Sequence, residues 1–277
     1  MDEALAFRLL RTWQGGVGML LLGVAAALAV AAPWLFASDP LDMVARPLTP
    51  PFSNAAVPLG TDRLGRDLLA GLVHGARGTL FVASAVAAIA LGVGAAVGTT
   101  AGYLGGWIDE LLMRVADATQ TVPGFVLALT LVSVAGPSQP VIVLAIAAGA
   151  WTGPARVVRA EVLSLKQRSF VEASRLVGRS RMGIAFHVVL PNALNPLIAL
   201  AAVIVAGAIL SESALSFLGL GDPNVASWGA MIAEGRSVLR TAPHVILVPG
   251  LAVMGTVLAV SLVGDGVTRA LESGRSE

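Results

Sequence analysis

No cysteine occurs anywhere in the chain. That excludes disulfides, thiolate metal sites and cysteine nucleophiles. Lysine is nearly absent too: the one lysine, Lys166, stands in Leu165-Lys166-Gln167 with no glycine run before it. A nucleotide-binding P-loop needs a lysine after its glycine-rich turn to reach the phosphates, so this chain cannot hold ATP in that way. The three histidines, His74, His187 and His244, are far apart, and no two have helical metal-ligand spacing. Charge is scarce as well. Asp, Glu, Lys and Arg make up 13% of the residues, against about 25% in soluble domains.

What fills the chain is apolar. Hydrophobic residues make up 56%, and the mean hydropathy is +0.82. Charge-free runs cover Thr12–Ser38, Gly78–Ile108, Ala118–Ala155, Met182–Ser211 and Thr241–Gly264. A helical span needs roughly 20 apolar residues, and a β-barrel would alternate instead of running continuously. The chain therefore reads as an all-α polytopic membrane protein. Gly136-Pro-Ser-Gln-Pro140 is a turn signal that splits the third run. Six transmembrane helices are expected, at about 17–37, 79–103, 115–135, 140–155, 194–211 and 244–264. The first run exceeds the apolar core of a signal peptide, so it is expected to be an uncleaved helix. The expected division is 1–78, an N-terminal tail with the first span and an external segment, and 79–277, a five-helix core.

Arg156, Arg159, Lys166, Arg168, Arg175, Arg179 and Arg181 all fall between the fourth and fifth spans, opposed only by Glu161 and Glu172. Positive loops stay cytoplasmic. With six spans both termini then lie inside, and Arg8 and Arg11 agree. The segments Ser38–Arg77 and Glu212–Arg240 fall outside, where their turn residues suit small folded caps.

Gly92-Val-Gly94-Ala-Ala-Val-Gly98 imitates a dinucleotide loop but lies inside an apolar run with no preceding strand. Gly94, Gly98 and Gly102 recur every four residues, which makes a ridge for close helix packing. Asp117, Glu212 and Asp265 are the candidate ion sites of a proton-coupled carrier, but all lie near expected span ends.

The basic stretch is more informative. Phe170, Ala173, Ser174 and Val177 share one small face of a short helix. Glu172 suits its first turns, and Gly178 suits its C-terminal turn. A second amphipathic stretch, Arg181 to Val189, is ended by Pro191. Such a bracket either lies on anionic headgroups or docks into a groove on a cytosolic partner. Its spacing favours the second. Glu172-Ala173-Ser174, then Gly178, Val188, Leu190 and Pro191, resembles the EAA motif of ATP-binding-cassette importer permeases. Ser174 stands where the second alanine is usual, and Val188 where isoleucine is usual. Leu59-Gly-Thr-Asp-Arg-Leu-Gly-Arg-Asp67, Ser213-Ala-Leu-Ser-Phe-Leu-Gly-Leu-Gly221, Ser227-Trp-Gly-Ala-Met231 and Leu262-Val-Gly-Asp-Gly266 resemble segments of its peptide/opine/nickel-type permeases. The resemblance is to the "C"-type subunit of dipeptide and oligopeptide systems.

The resemblance implies a MetI-like permease fold with a coupling helix at about 170–178. Phe170, Glu172, Ala173, Ser174, Arg175, Val177 and Gly178 would form the ATPase-coupling interface, with Glu172 and Arg175 at the groove rim. The implied partners are a homologous second permease subunit, two cytosolic ATPases that bind ATP and magnesium, an external solute-binding protein and the bilayer of a bacterial inner membrane. No cofactor, metal, nucleic acid or catalytic residue is expected on this chain. Glu212 is a candidate for lining the gate. Peptide is the expected substrate, nickel the alternative, and a proton-coupled carrier the alternative class.

Overall fold

A computed structural model describes residues 12–37 and 39–273. Arg8 and Arg11, cited above for orientation, lie outside the described residues. Helices account for nearly all regular structure, and among the described residues β-pairing is confined to two isolated bridges, Met43 with Arg66 and Thr61 with Asp67.

The first helix, α1, is Trp13–Leu35, started by Thr12, whose hydroxyl accepts from Gly15 N at 3.1 Å. The second, α2, is Leu68–Leu104. It begins well before the expected 79 because Asp67 caps it, accepting from Leu69 N at 2.9 Å. The polar His74 and charged Arg77 do not interrupt it, since a helix longer than the bilayer core can continue into water. Gly105, at φ +68°, ends it.

The expected third and fourth spans are both broken helices. Gly106–Gln120 (α3) and Gly124–Ala135 (α4) meet at 79°. Pro123 sits in the gap in an extended conformation, and a proline also disfavours the helical conformation of the residue before it. Gln139–Ala150 (α5) and Thr152–Leu165 (α6) meet at 42°. Here Pro154 lacks the N–H that would bond Ala150. By length and composition four helices can cross a membrane, and the two bent pairs raise this to six.

The bracket follows as α7 (Ser169–Leu176), α8 (Arg181–Ile184), a π-helical turn Ala185–Val189 and α9 (Leu190–Ala193). Then come α10 (Asn195–Leu215), a second π turn (Ser216–Leu220), α11 (Trp228–Gly235) and α12 (His244–Ser273). Pro191 was expected to end the second amphipathic stretch, but the helical path runs on to Ala193. The π turn explains this. Leu190 N bonds back to Ala185 O, which shifts the hydrogen-bond register just before the proline.

The glycine ridge of α2 seats α6. A Cβ at Gly98 would lie 2.9 Å from Val158 Cβ and 3.0 Å from Arg159 N, and one at Gly102 would lie 2.9 Å from Arg159 O. Two apolar cores result. One joins α2, α4, α5, α10 and α12 through residues such as Val86, Val132, Ile142, Ile209 and Val260. The other lies beneath the bracket and joins Tyr103, Val158, Val162, Val171, Ile184 and Val189. Large apolar side chains face outward, including Leu20, Val30, Trp34, Val134 and Val203. That surface is unsuited to water and suited to lipid or to a membrane partner.

Candidate functional site

Two places gather the residues that the sequence singles out. The first is the bracket. Val171 is 0% exposed and pins α7 to the second core. Ser174 Oγ donates to Phe170 O at 2.9 Å and spends itself inside the helix. At the other end Gly178 adopts φ +79°. Gly178 N donates to Arg175 O at 3.0 Å and Arg179 N to Ser174 O at 3.3 Å. This pair of bonds is the Schellman closure of a helix, which wants glycine at that turn. Ser180 then caps α8, accepting from Gly183 N at 3.1 Å.

With Val171 turned inward, the rest of α7 stands free. Ala173 is exposed, and Leu176 and Val177 are 89% and 87% exposed. Phe170 is partly exposed beside them. Glu172 is exposed and forms no ion pair among the described residues. Arg175 points elsewhere: its guanidinium carbon lies 5.9 Å from the centre of the Tyr103 ring, back against the end of α2. The sequence did not single out Val171 or Leu176. Val171 has one signal, its place four residues before Arg175 on the side away from Ala173. The exposure of Leu176 has none, because an apolar residue in an apolar chain is expected inside.

Behind the bracket, α3 and α6 are joined by ion pairs. Arg159 grips Asp109 through two bonds of 2.5 and 2.7 Å. Arg156 pairs with Asp117 at 2.5 Å, and Gln120 donates to Thr152 Oγ1 at 2.8 Å. Lys166 Nζ donates to Gly102 O at 3.0 Å. So part of the positive charge counted from sequence is neutralised within the fold. The arginines left without carboxylate partners in this region, Arg168, Arg175, Arg179 and Arg181, belong to the bracket.

The second place surrounds Glu212, which is 3% exposed in α10. Ser216 Oγ donates to its Oε1 at 2.8 Å, while Oε2 has no partner among the described residues. Gly78, Gln139, Asp222 and Ser227 close around it. The segment after α10 is folded down by close contacts: a Cβ at Gly229 would lie 2.7 Å from Ser213 Cα. Trp228 anchors it, with Nε1 donating to Leu72 O at 2.8 Å and N to Thr79 Oγ1 at 3.3 Å. The stretch Leu59 to Asp67 supports the same end. Thr61 Oγ1 donates to Arg46 O at 2.6 Å, and Asp62 Oδ1 accepts from Leu64 and Arg66 N at 2.8 and 2.9 Å. Arg66 reaches Glu234 of α11 at 2.9 Å. Of the four segments singled out by resemblance, 59–67 and 227–231 are therefore ties of one small folded cap.

Of the other carboxylates considered, Asp117 is paired as above and Asp265 is exposed. No group of His, Asp and Glu among the described residues can hold a metal ion. His74 Nε2 lies 3.0 Å from Phe36 O.

Residues 88–277 match the family described as "binding-protein-dependent transport system inner membrane component". The chain belongs to that family. The permease is also similar, over most of its length, to named relatives. It is 39% identical over 264 residues, 93% of this chain and 86% of the relative, to the di/tripeptide transport system permease protein DppC of Pseudomonas aeruginosa. It is 32% identical over 262 residues, 92% and 89% of the two chains, to the dipeptide transport system permease protein DppC of Haemophilus influenzae. It is 36% identical over 215 residues, 77% and 71%, to the glutathione transport system permease protein GsiD of Pectobacterium atrosepticum. The family and the apolar helices make it a membrane-embedded permease subunit of a binding-protein-dependent system.

Proposed function

We propose that this permease forms half of the path for di- or oligopeptides through a bacterial inner membrane. The other half is a homologous second permease subunit, and an external solute-binding protein delivers the peptide. Two cytosolic ATPases bind ATP and magnesium, and this chain carries no catalytic residue. The termini face the cytoplasm, and residues 79–277 form the moving core. Peptide rather than another solute is supported by what the relatives are named to transport.

The observation that carries the coupling role is the outward-facing α7, held to the core by Val171. Its free face offers Ala173, Leu176 and Val177 to a groove. Its back is fixed by Val171, so a push on α7 reaches α6 and, through the glycine ridge, α2. Phe170, Glu172 and Ser174 border that face. Arg175, exposed at the expected rim, also reaches back to the Tyr103 ring. Glu212 belongs to the gate, as the buried carboxylate where α2, α5 and the cap converge.

The test is reconstitution of the four membrane and ATPase subunits in proteoliposomes, with the binding protein outside. A labelled dipeptide should accumulate only when ATP is present. Accumulation driven by a proton gradient with the ATPases omitted would sink the reading in favour of a carrier.

A further inference from the structure

Between the end of α2 and the bracket is a concave pocket of about 370 Å³, lined by Tyr103, Leu104, Arg175, Arg179, Arg181 and Ile184. We propose that this pocket binds the phosphate headgroup of an acidic phospholipid.

Three arginines line it, and no carboxylate does. Among the described residues, Arg179 and Arg181 side chains form neither a hydrogen bond nor an ion pair, and Arg175 has only its stacking on Tyr103. Three carboxylates of α3 are already engaged: Asp109 and Asp117 by Arg159 and Arg156, and Glu110 by Arg114. Glu172, on the same short helix, does not line the pocket. An uncompensated arginine cluster in a concavity selects a phosphate-bearing anion, since guanidinium forks match phosphate oxygens in pairs.

The place decides which phosphate. Tyr103 is the one tyrosine in the chain and comes near the end of the charge-free run 78–108. Tyrosine at such an end sits at headgroup depth. Leu104 and Ile184 give the pocket an apolar floor next to that depth. The ATPase-facing side of α7 is a different surface: the Arg175 guanidinium reaches back to the Tyr103 ring, whereas Ala173, Leu176 and Val177 are exposed away from that contact. A lipid can therefore occupy the pocket while α7 is docked. It would then brace the bracket against the bilayer from behind.

The experiment uses the complete importer in nanodiscs holding equal phosphatidylglycerol and phosphatidylcholine, read by native mass spectrometry after partial delipidation. The wild type should retain phosphatidylglycerol in preference to phosphatidylcholine. Arg179→Gln with Arg181→Gln should weaken that retention about tenfold or more, as two arginines at an anionic surface do. Arg179→Lys with Arg181→Lys should keep most of it. Hydrogen exchange across 175–184 should slow when phosphatidylglycerol is added to wild-type importer in detergent. Slowing by inorganic phosphate alone to the same extent would overturn the lipid as source. Equal retention of both lipids by the wild type would overturn the proposal without any variant. Unchanged retention in an assembled glutamine variant would do the same, as would a crosslink from position 179 or 181 to an ATPase carboxylate. None of these readouts depends on peptide uptake, so the transport reading stands or falls separately.

Discussion

At Gly178 the chemistry is purely backbone. Nothing lies within 4 Å of where a Cβ would sit, yet φ is +79°. A side chain there meets no neighbour and pays only in dihedral strain, of order 1–3 kcal/mol for a residue unsuited to the left-handed region. Gly178→Val should therefore loosen the end of α7, while Gly178→Asn, which tolerates that region, should be milder. In the reconstituted importer the expected order of loss in peptide-stimulated ATP hydrolysis is Gly178→Val and Ala173→Arg well above Glu172→Gln. The reason is that an exposed rim charge is worth about 0–1 kcal/mol, whereas an arginine in the docking face blocks close approach. Equal, wild-type coupling in all three would remove the lever from the account. Glu212 demands a different pair of measurements. Its truncation to alanine strips Ser216 of its acceptor and leaves a hole beside Gln139 and Ser227. Glu212→Ala should lower both the melting temperature and peptide uptake per assembled complex, and Glu212→Gln should lower uptake less. A fall in melting temperature with uptake per complex intact would leave Glu212 a packing residue and end its assignment to the gate.

Among the elements, α2 and α6 make the most demanding contact. Gly98→Val would drive its side chain into Val158 and the Arg159 backbone, and overpacking of this kind costs typically ~1–3 kcal/mol. Gly92, which has nothing within 4 Å of its Cβ site, is the matched control: the melting temperature in detergent should fall clearly more for Gly98→Val than for Gly92→Val. The cap supplies a pH prediction. Burial, with help from Asp62, raises Glu234 above the ordinary carboxylate value of 4.5, while Arg66 pulls the other way. An acid raised in the native state holds more protons folded than unfolded in the window that opens at 4.5 and extends upward. Its contribution to stability therefore declines as pH rises through that window. Glu234→Gln should flatten this part of the curve of melting temperature against pH, and an unchanged slope would assign it elsewhere. These elements differ in how far sequence could foresee them. The glycine ridge was legible because a four-residue repeat of small side chains has one packing use. The breaks at Pro123 and Trp151 were not, because both fall inside the charge-free run 118–155, and apolar content does not report the angle between successive helices. The early start of α2 was hidden behind Arg77, which marks where charge begins, not where a helix does. Nor was the contact of Arg175 with the Tyr103 ring legible, because the two are some seventy residues apart in the chain (175 against 103).

For the whole molecule, the sequence identified the membrane class and the family resemblance, since runs of apolar residues and long spaced motifs survive without tertiary context. Orientation is a subtler quantity. Arg156 and Arg159 pair with Asp117 and Asp109, and Lys166 bonds the Gly102 carbonyl, while Arg168, Arg175, Arg179 and Arg181, all within or beside α7, have no carboxylate partner among the described residues. The proposed orientation puts the bracket on the cytoplasmic side and the cap, with Asn54 exposed in it, on the opposite side. The absence of cysteine makes this directly measurable, because any introduced thiol is the chain's sole label site. Leu176→Cys, at a position 89% exposed, should react with a membrane-impermeant maleimide in inside-out vesicles and not in right-side-out ones. Asn54→Cys should show the reverse. If α7 is the handle of the importer, adding the ATPases to inside-out vesicles should shield the thiol at 176 and leave the thiol at 54 unaffected. Labelling of position 176 from the outside would reverse the topology. Labelling from the inside that the ATPases never reduce would keep the topology and take the coupling role away from α7.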